Sequence, residues 1–271
     1  MPIFTPADHQ LFADCGYVVA RGLVPRALLR PAIDALCAFY GMDYEDASTW
    51  RRAPPNSNGI VPVHQAQAFW DTRQHPAVHA AFAELLGTPR LWVSMDRGSF
   101  KPPVDASHPE PRDSRVHWDF EPWHPSPLKL QGVLYLDDTP LEGGGFRCVP
   151  AIYREVGEWI PRQAQARDPR RPEIGGRKVV RVAGGAGDLV IWTSALPHGS
   201  GVNRSSRPRV AQYIGMDFIG DQADRQERVE CWRTKQAPLP WRSWPADVGP
   251  EPGPPAQLTA LGRRLLGLDP W

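Results

Sequence analysis

The stretch GDLVIWTSALPHGSGVNRSSRPR, residues 187–209, joins a turn, an apolar run and two polar residues of functional interest. Gly and Asp at its start are typical of a turn, and the β-branched and aromatic residues that follow favour a strand. His198 comes after this run, and Arg209 leads directly into a second apolar run, VAQYIGMDF. The stretch therefore predicts two strands, with chemically useful side chains at the ends of their connection.

Similar short runs, each bounded by turn residues, recur from Leu91 onward. The other runs are LWVSM, SRVHWDF, KLQGVLYLDD, GGFRCV and RKVVRVA. Many short strands at this spacing are typical of an antiparallel sandwich or barrel. The sequence therefore predicts a mainly β core with additional helices, an α+β fold class.

Helical patterns lie mainly in the N-terminal part. Thr5 before Pro6 is a typical helix start, and Gly16 ends that predicted helix. The predicted helices cover residues 6–14, 25–40, 75–86 and 258–268. Residues 43–62 are polar and aperiodic, which indicates a long loop, and long loops in compact domains are often functional.

Length and composition favour one globular domain and exclude several kinds of partner. The formal net charge is +1 and the charges are interspersed, so no basic stripe for nucleic acid is present. The start MPIFTPADHQ lacks the pattern of a signal peptide, and no apolar run approaches membrane-spanning length. The 4 cysteines form no C-x-x-C pair, which suits reduced thiols. We therefore expect a cytoplasmic protein that binds neither nucleic acid nor membranes.

We expect the 271 residues to form a single domain. Helical N-terminal support is expected over about 1–90, the β core over about 91–220, and a Pro- and Trp-rich C-terminal extension over about 221–271. No pattern in the sequence predicts an oligomeric state.

His117 and Asp119 lie two positions apart in VHWDFEPWH, residues 116–124. On an extended segment, residues i and i+2 point to the same side, so both side chains can converge on one ion. An isolated H-x-D is more often two polar side chains on an exposed strand or loop. His198 and Arg209 change this assessment, because two imidazoles and one carboxylate are the ligand set of non-haem Fe(II) oxygenases. An arginine nearby can hold a carboxylate by bidentate pairing.

On these residues the chain resembles the phytanoyl-CoA dioxygenase-like branch of the Fe(II)/2-oxoglutarate-dependent oxygenases. The resemblance runs from LFADCGYVVARGLV through FKPP, H-W-D, LYLDDTPLEGGGFRCVP and residues 187–209 to LTALGRRLLG. Its discriminating part is the ordered set H-x-D, His and Arg. The resemblance implies a double-stranded β-helix, or cupin-like jelly roll, buttressed by helices that are mostly N-terminal.

The resemblance also implies the residues of a site. His117, Asp119 and His198 match the iron ligands, and Arg209 matches the residue that pairs with the distal carboxylate of 2-oxoglutarate. Ser200 is expected to add a hydrogen bond to that carboxylate. The expected cofactors are Fe(II), the cosubstrate 2-oxoglutarate and O2.

Further residues are candidates for the same pocket. Lys101 in FKPP is a candidate contact of the inner carboxylate of the keto acid, and Gln131 and Tyr135 are candidates for lining the pocket. Trp118 and Trp123 flank the ligands, where indoles could exclude water from a reactive centre. Burial in an ordinary sandwich core explains a tryptophan equally well.

Several polar residues compete for these roles. His124 is a rival third metal ligand, but prolines bracket its loop and no spacing rule recommends it. Glu121 is better explained as a loop acid or as a partner of a ligating histidine. Arg207 competes with Arg209, but Pro208 turns the chain between them. The other histidines are most simply surface or helix residues: His9, His64, His75, His79 and His108.

One segment departs from the family pattern. Members often have Pro-Gly-Ser-His after the glycine-rich turn, whereas this chain has Pro-Ala-Ile-Tyr at residues 150–153. That segment usually lies near the substrate, so the departure bears on the substrate class and leaves the metal ligands intact. The glycines at 143–145 lack the GK[ST] of a phosphate loop and predict a tight turn.

The expected activity is hydroxylation of an unactivated carbon of a small-molecule metabolite. The same core can instead catalyse desaturation, cyclisation or epimerisation, since all of these begin with hydrogen abstraction. Two other classes are a non-catalytic jelly roll that binds a sugar or peptide and a zinc hydrolase, in which Arg209 would have no evident role. Arg97, Arg115, Gln65 and the loop 43–62 could receive an anionic group of the substrate, although a surface role is simpler for each.

Overall fold

The computed structural model describes residues 2–54, 57–107, 116–119, 129–162, 168 and 170–271. Its helices are α1 Pro6–Cys15, α2 Arg26–Phe39, α3 Gln67–Arg73, α4 Pro76–Leu86, α5 Pro150–Arg154, α6 Val156–Trp159, α7 Gln222–Thr234 and α8 Ala260–Leu266. Its strands are β1 Tyr17–Ala20, β2 Ile60–Val61, β3 Leu91–Val93, β4 Gly98–Lys101, β5 Leu130–Tyr135, β6 Phe146–Cys148, β7 Val180–Arg181, β8 Leu189–Thr193, β9 His198–Ser200, β10 Arg209–Tyr213 and β11 Met216–Phe218.

The strands form two antiparallel sheets. The larger sheet has the order β1-β8-β5-β10-β4-β2, with β11 pairing with β5 and β3. The smaller sheet has the order β7-β6-β9. The architecture is therefore mixed α+β with antiparallel sheets, as the short apolar runs predict. The N-terminal part is not purely helical, because it contributes β1 and β2 to the larger sheet.

The larger sheet buries side chains on both of its faces, because successive residues of a strand point to opposite sides. Leu134 and Val210 pack with apolar side chains of α2, α3 and α4 in the main core. Their strand neighbours Val133 and Ala211 point the other way and join Phe146 of the smaller sheet in a second buried cluster. The two sheets thus face each other, and we call the side of the larger sheet that carries Val133 and Ala211 its inner face.

Four of the predicted helices are present near their predicted bounds, as α1, α2, α4 and α8. In α1 the Thr5 side chain accepts from the Asp8 backbone N–H, and the Asp8 side chain accepts from that of Thr5, which is a capping box. Gly16 ends the helix with φ 75°, a conformation that favours glycine. Among the described residues, no helix combines the length and apolar character needed to cross a membrane.

The C-terminal segment folds back onto the larger sheet. Arg228 on α7 donates to the carbonyl oxygens of Val93 on β3, at 2.5 Å, and of Leu265 and Leu266 on α8, both at 3.0 Å. The indole N–H of Trp271 donates to Leu91 O on β3 at 3.1 Å. These contacts hold the segment after β11 against the edge of the sheet.

Candidate metal centre

His117, Asp119 and His198 meet at one point between the sheets. Their ligand atoms all lie within 4.8 Å of one another. His198 begins β9, and His117 pairs with it through reciprocal backbone hydrogen bonds of 2.8 and 2.9 Å. This pairing places residue 117 next to residue 198, and Asp119, two residues on, returns to the same side.

The two imidazoles are arranged so that each presents Nε2 to the carboxylate. His117 Nε2 lies 3.3 Å from Asp119 Oδ1, and His198 Nε2 lies 3.3 Å from Asp119 Oδ2. His198 Nδ1 lies 3.0 Å from Leu196 O, and a carbonyl oxygen only accepts. In the neutral ring Nδ1 therefore carries the hydrogen and Nε2 carries the lone pair, which is the form that binds a metal.

Asp119 is held as a carboxylate. Burial acts to raise its pKa, but when no metal is bound and the two rings are protonated, their hydrogen bonds and positive charge outweigh burial and hold the pKa of Asp119 well below 3.8. Gln131 Nε2 donates to Asp119 Oδ2 at 2.5 Å, and Gln131 Oε1 accepts from the Trp192 indole at 3.1 Å. The second bond orients the amide, so Gln131 directs its N–H groups at the carboxylate.

The donor set at this point fits a divalent transition metal. Two neutral imidazole nitrogens and one ionised carboxylate converge from one side, which is the arrangement of the two-histidine, one-carboxylate sites of non-haem iron enzymes. Groups outside the cluster, Leu196 O and Gln131, orient two of its three members, as is typical of metal ligands.

Arg209 is a buried cation with unused hydrogen-bond donors. It begins β10 and is 4% exposed. Its Nε and Nη2 atoms have no hydrogen-bond partner among the described residues. Buried donors are normally paired, and a guanidinium offers parallel N–H groups that match a carboxylate. Arg209 therefore has buried donors whose geometry suits an anion.

The rival arginine lies in a different environment. Arg207 forms an ion pair with Glu45 at 3.0 Å, and its guanidinium lies 4.6 Å from the centre of the Tyr44 ring. Its side chain is 47% exposed. The structure therefore gives Arg207 protein partners and leaves Arg209 buried on the strand, as Pro208 and the following apolar run suggest.

The remaining predicted pocket residues lie on β9 and on the two strands that pair with β10. Lys101 is the register partner of Arg209, and its Nζ donates to Gly201 O at 3.3 Å. Ser200 ends β9 and pairs with Phe146. The Tyr135 hydroxyl donates to Val182 O at 2.8 Å and accepts from a backbone N–H, and burial raises its pKa to about 12. The hydroxyl proton of Tyr135 is thus already donated to a backbone carbonyl oxygen.

The structure corrects the interpretation of three residues as surface residues, and other candidates lie outside the residues it describes. His64 is not a surface residue, because it is 1% exposed, and its Nδ1 lies 2.8 Å from Met95 O. Gln65 is fully buried, and the Arg97 side chain is 14% exposed, so neither is a surface residue either. The alternatives at His108, Arg115, Glu121, Trp123 and His124 lie outside the described residues.

Trp118 and the departing segment both have structural roles. Trp118 is 1% exposed and its indole donates to Ala195 O at 2.9 Å. Residues 150–153 begin α5, in which Ile152 is buried. A Cβ on Gly16 would lie only 2.9 Å from the ring of Tyr153. The Tyr153 ring therefore packs against the C-terminal end of α1. No sequence periodicity marks so short a helix.

Comparison with known proteins places the chain in a family. The family model described as Phytanoyl-CoA dioxygenase (PhyH) matches residues 12–211. A putative phytanoyl-CoA dioxygenase of Dictyostelium discoideum is 24% identical over 217 residues, which are 64% of this chain and 62% of that protein. The chain thus spans less than two thirds of that relative. The chain belongs to the phytanoyl-CoA dioxygenase family.

Solved structures share the fold at low sequence identity. GlcNAc Inducible Gene 2 from Candida albicans superposes with a TM-score of 0.71 at 14% identity, covering 97% of this chain and 76% of that one. The epimerase SnoN was solved with Fe3+, alpha ketoglutarate and nogalamycin RO. It superposes with a TM-score of 0.55 at 16% identity, covering 78% of this chain and 84% of that one. These likenesses establish the fold.

Proposed function

We propose that this protein is an Fe(II)- and 2-oxoglutarate-dependent dioxygenase that hydroxylates an unactivated carbon of a small organic molecule. The observation that carries the proposal is the convergence of His117, Asp119 and His198 in a member of the phytanoyl-CoA dioxygenase family. Arg209 supports it, because a buried guanidinium with unused donors suits the distal carboxylate of 2-oxoglutarate.

In this proposal each member of the cluster binds the metal through one atom. Fe(II) bound there, with 2-oxoglutarate and O2, would supply the oxidising chemistry that removes hydrogen from the substrate carbon. Leu196 O keeps the lone pair of His198 Nε2 directed at the metal position. Gln131 holds the carboxylate of Asp119 in place by donating to its Oδ2. The protein's contribution is positioning, and the oxidising power comes from the cofactors.

The cosubstrate would lie along the inner face between the cluster and Arg209. Arg209 receives the distal carboxylate, with Lys101 beside it in the sheet and Ser200 on the facing strand. Tyr135 shapes this pocket with its ring, since its hydroxyl proton is bonded to Val182 O. We also propose that the two facing sheets form the double-stranded β-helix of the family. The four free cysteines suit a cytoplasmic location.

Epimerisation is the main alternative outcome at the same residues. SnoN, which shares the fold, is described as an epimerase and was solved with Fe3+ and alpha ketoglutarate. Desaturation, cyclisation and epimerisation need the same metal and cosubstrate positions as hydroxylation, because each starts with loss of hydrogen from the substrate. Product analysis separates these outcomes once a substrate is in hand.

Anaerobic calorimetry with Fe(II) and 2-oxoglutarate tests the assignment of residues. His198→Ala removes one of three ligands and is expected to weaken Fe(II) binding severely. Arg209→Ala is expected to weaken 2-oxoglutarate binding by about 2–5 kcal/mol, because it leaves a desolvated carboxylate without its charged partner. Fe(II) affinity should barely change in the Arg209 variant.

Arg207→Ala is the matched control, since it removes a neighbouring arginine that already has protein partners. Both affinities should stay at wild-type values in this variant. If Arg207→Ala damaged 2-oxoglutarate binding and Arg209→Ala were silent, the cosubstrate assignment would be wrong. Unchanged Fe(II) affinity in His198→Ala would contradict the metal site. An aerobic metabolite screen that follows succinate release above the uncoupled background then identifies the substrate.

A further inference from the structure

Arg97 is a largely buried cation that the proposed machinery does not use. Its side chain is 14% exposed, and its Nε and Nη1 atoms are buried without a hydrogen-bond partner in the described part of the chain. The carboxylate paired with it is that of Asp96, whose Oδ1 lies 3.7 Å from Arg97 Nε, beyond hydrogen-bond distance. Arg97 therefore has buried donors that no described residue satisfies.

The sheet places Arg97 on the inner face. Arg97 immediately precedes β4, and its carbonyl accepts from the Tyr213 backbone N–H at 3.0 Å, which extends the pairing of β4 with β10. Phe100 of β4 packs in the main core with the helices. Residues 97, 99 and 101 alternate with it and so point to the opposite side. Arg97 thus shares the inner face with Lys101.

The register also places Arg97 at the metal end of this face. Arg209 pairs with Lys101 at the far end of β4, whereas Tyr213 of the same strand lies beside Arg97. Tyr213 pairs with Val133, two residues after the glutamine that donates to Asp119. The charge of Asp119 also acts on Asp96, the neighbour of Arg97. Arg97 is therefore separated from Arg209, the proposed partner of 2-oxoglutarate, and lies towards the metal cluster.

Two tryptophans of the C-terminal extension cover Arg97. The guanidinium carbon lies 5.0 Å from the centre of the Trp241 ring and 4.8 Å from that of Trp244. Cation–π contact of this kind fixes the guanidinium and excludes water from its faces. Trp244 is 40% exposed, so the aromatic wall formed by Trp241 and Trp244 is open to solvent on the side of Trp244. The arrangement suits a ligand with an apolar body and a charged end.

His64 adds a second buried polar atom beside this wall. Its ring lies against Trp241, with centroids 6.1 Å apart and planes within 16°. Because Nδ1 must donate to Met95 O, Nε2 is an acceptor, and it is buried with no partner among the residues described. A hydroxyl or N–H group of a ligand would satisfy it.

We propose that Arg97 binds a carboxylate of the primary substrate, with Trp241 and Trp244 against its apolar body and His64 Nε2 accepting from a hydroxyl or amino group. The substrate class is therefore a carboxylic acid that carries a hydrogen-bond donor. A planar carboxylate matches the fixed guanidinium fork. The inference rests on the proposed function, because it takes the metal cluster as the place of reaction.

The test measures binding of paired carboxylates and amides by calorimetry. The probes are 3-phenyllactate, indole-3-lactate and 2-hydroxyoctanoate, each with its primary amide, added to full-length protein saturated with Mn(II) and 2-oxoglutarate and to metal-free protein. At least one carboxylate is expected to bind wild type about tenfold more tightly than its amide, a difference of about 1.4 kcal/mol. Arg97→Gln should abolish this preference, and Arg97→Lys, which keeps the charge, should retain part of it.

Arg207→Gln is the control and should keep the full preference for the carboxylate. Three results overturn the proposal. They are no carboxylate preferred over its amide by wild type, a preference retained in Arg97→Gln, or binding of the probe to metal-free protein that is lost when 2-oxoglutarate saturates the protein, which would place the probe at Arg209. The wild-type comparison needs no substitution, so it holds even where a variant fails to fold. Because metal-free protein is also measured, failure of the metal site is distinguished from failure of the carboxylate site.

Discussion

His64 shows how far burial changes a titratable side chain in this protein. Burial lowers its pKa from 6.5 to about 3, and the positive charges of Arg73 and Arg97 act in the same direction, against the hydrogen bond to Met95 O. The ring is therefore neutral in the folded protein at every pH at which the protein is normally handled. In the unfolded chain it takes up a proton near pH 6.5.

This difference predicts a pH-dependent stability. As the pH falls below 6.5 the unfolded state binds a proton that the folded state excludes until about pH 3, so stability falls through that window. Between pH 6.5 and 5, urea unfolding of metal-free wild type should lose about 2 kcal/mol more than His64→Gln. Equal losses in the two proteins would show that His64 is protonated when folded.

The candidate site was predictable where local spacing carries the information. The alternation of His117 and Asp119 and the separate cluster of His198 and Arg209 predict which side chains can converge, and the sheet pairing brings the first three together. The surroundings of His64 were not predictable. A lone histidine has no periodic pattern, and the residues that bury it include Trp241, far away in the sequence.

Strand β5 is packed so closely that its glycine is required. A Cβ on Gly132 would lie 2.6 Å from Ile214 O and 3.1 Å from Phe82 Cζ. Backbone on one side and a core ring on the other leave no room for a methyl group. Gly132→Ala should therefore destabilise the protein by about 1–3 kcal/mol, measured by urea unfolding.

Gly157→Ala is the matched control for this substitution. Gly157 lies in α6, and an added Cβ would meet no atom within 4 Å in the described part of the chain. Since alanine favours helix over glycine, this variant should be as stable as wild type or slightly more stable. A Gly132→Ala variant as stable as Gly157→Ala would mean that β5 can move to accept the methyl group.

Helices were predictable where the sequence shows either an apolar stripe of helical period or a Thr-Pro start closed by glycine. In α2 the buried residues recur with a helical period: Leu29, Ala32, Ile33, Leu36 and Cys37. In α7 only Cys231 is buried, so the helix has no apolar stripe that a sequence pattern could reveal. The signal that could have found α7 is its capping box, in which Asp221 and Asp224 bond to each other's backbone N–H groups.

Arg228 joins the C-terminal segment to the sheet and is expected to contribute to the stability of the whole molecule. Arg228 stays charged at neutral pH, because burial lowers its pKa only to about 10. Arg228→Met would leave the carbonyls of Val93, Leu265 and Leu266 without this donor, at about 1–3 kcal/mol for each that stays buried and unpaired. A lower urea midpoint than wild type is expected.

Arg263→Met provides the comparison, since Arg263 pairs with Asp269 at the surface and its loss should change the midpoint little. Equal midpoints for the two variants would show that the contacts of Arg228 are dispensable. The C-terminal segment carries Trp241 and Trp244, which cover Arg97. With increasing urea, the Arg228 variant should therefore lose its preference for carboxylate probes at a lower concentration than it loses metal binding.

The strand order has a consequence for how the chain is made. Strand β8 lies between β1 and β5, and Ala20 pairs with Leu189. A ribosome adding about 5–20 residues each second reaches Leu189 roughly 10–30 s after Ala20. From the addition of Tyr135 until that of Leu189, the nascent chain holds β1 and β5 with no strand between them, so both lack the backbone partner that β8 supplies. Chaperones that shield strand edges would act on this protein during its synthesis, before the metal ligand on β9 has been added.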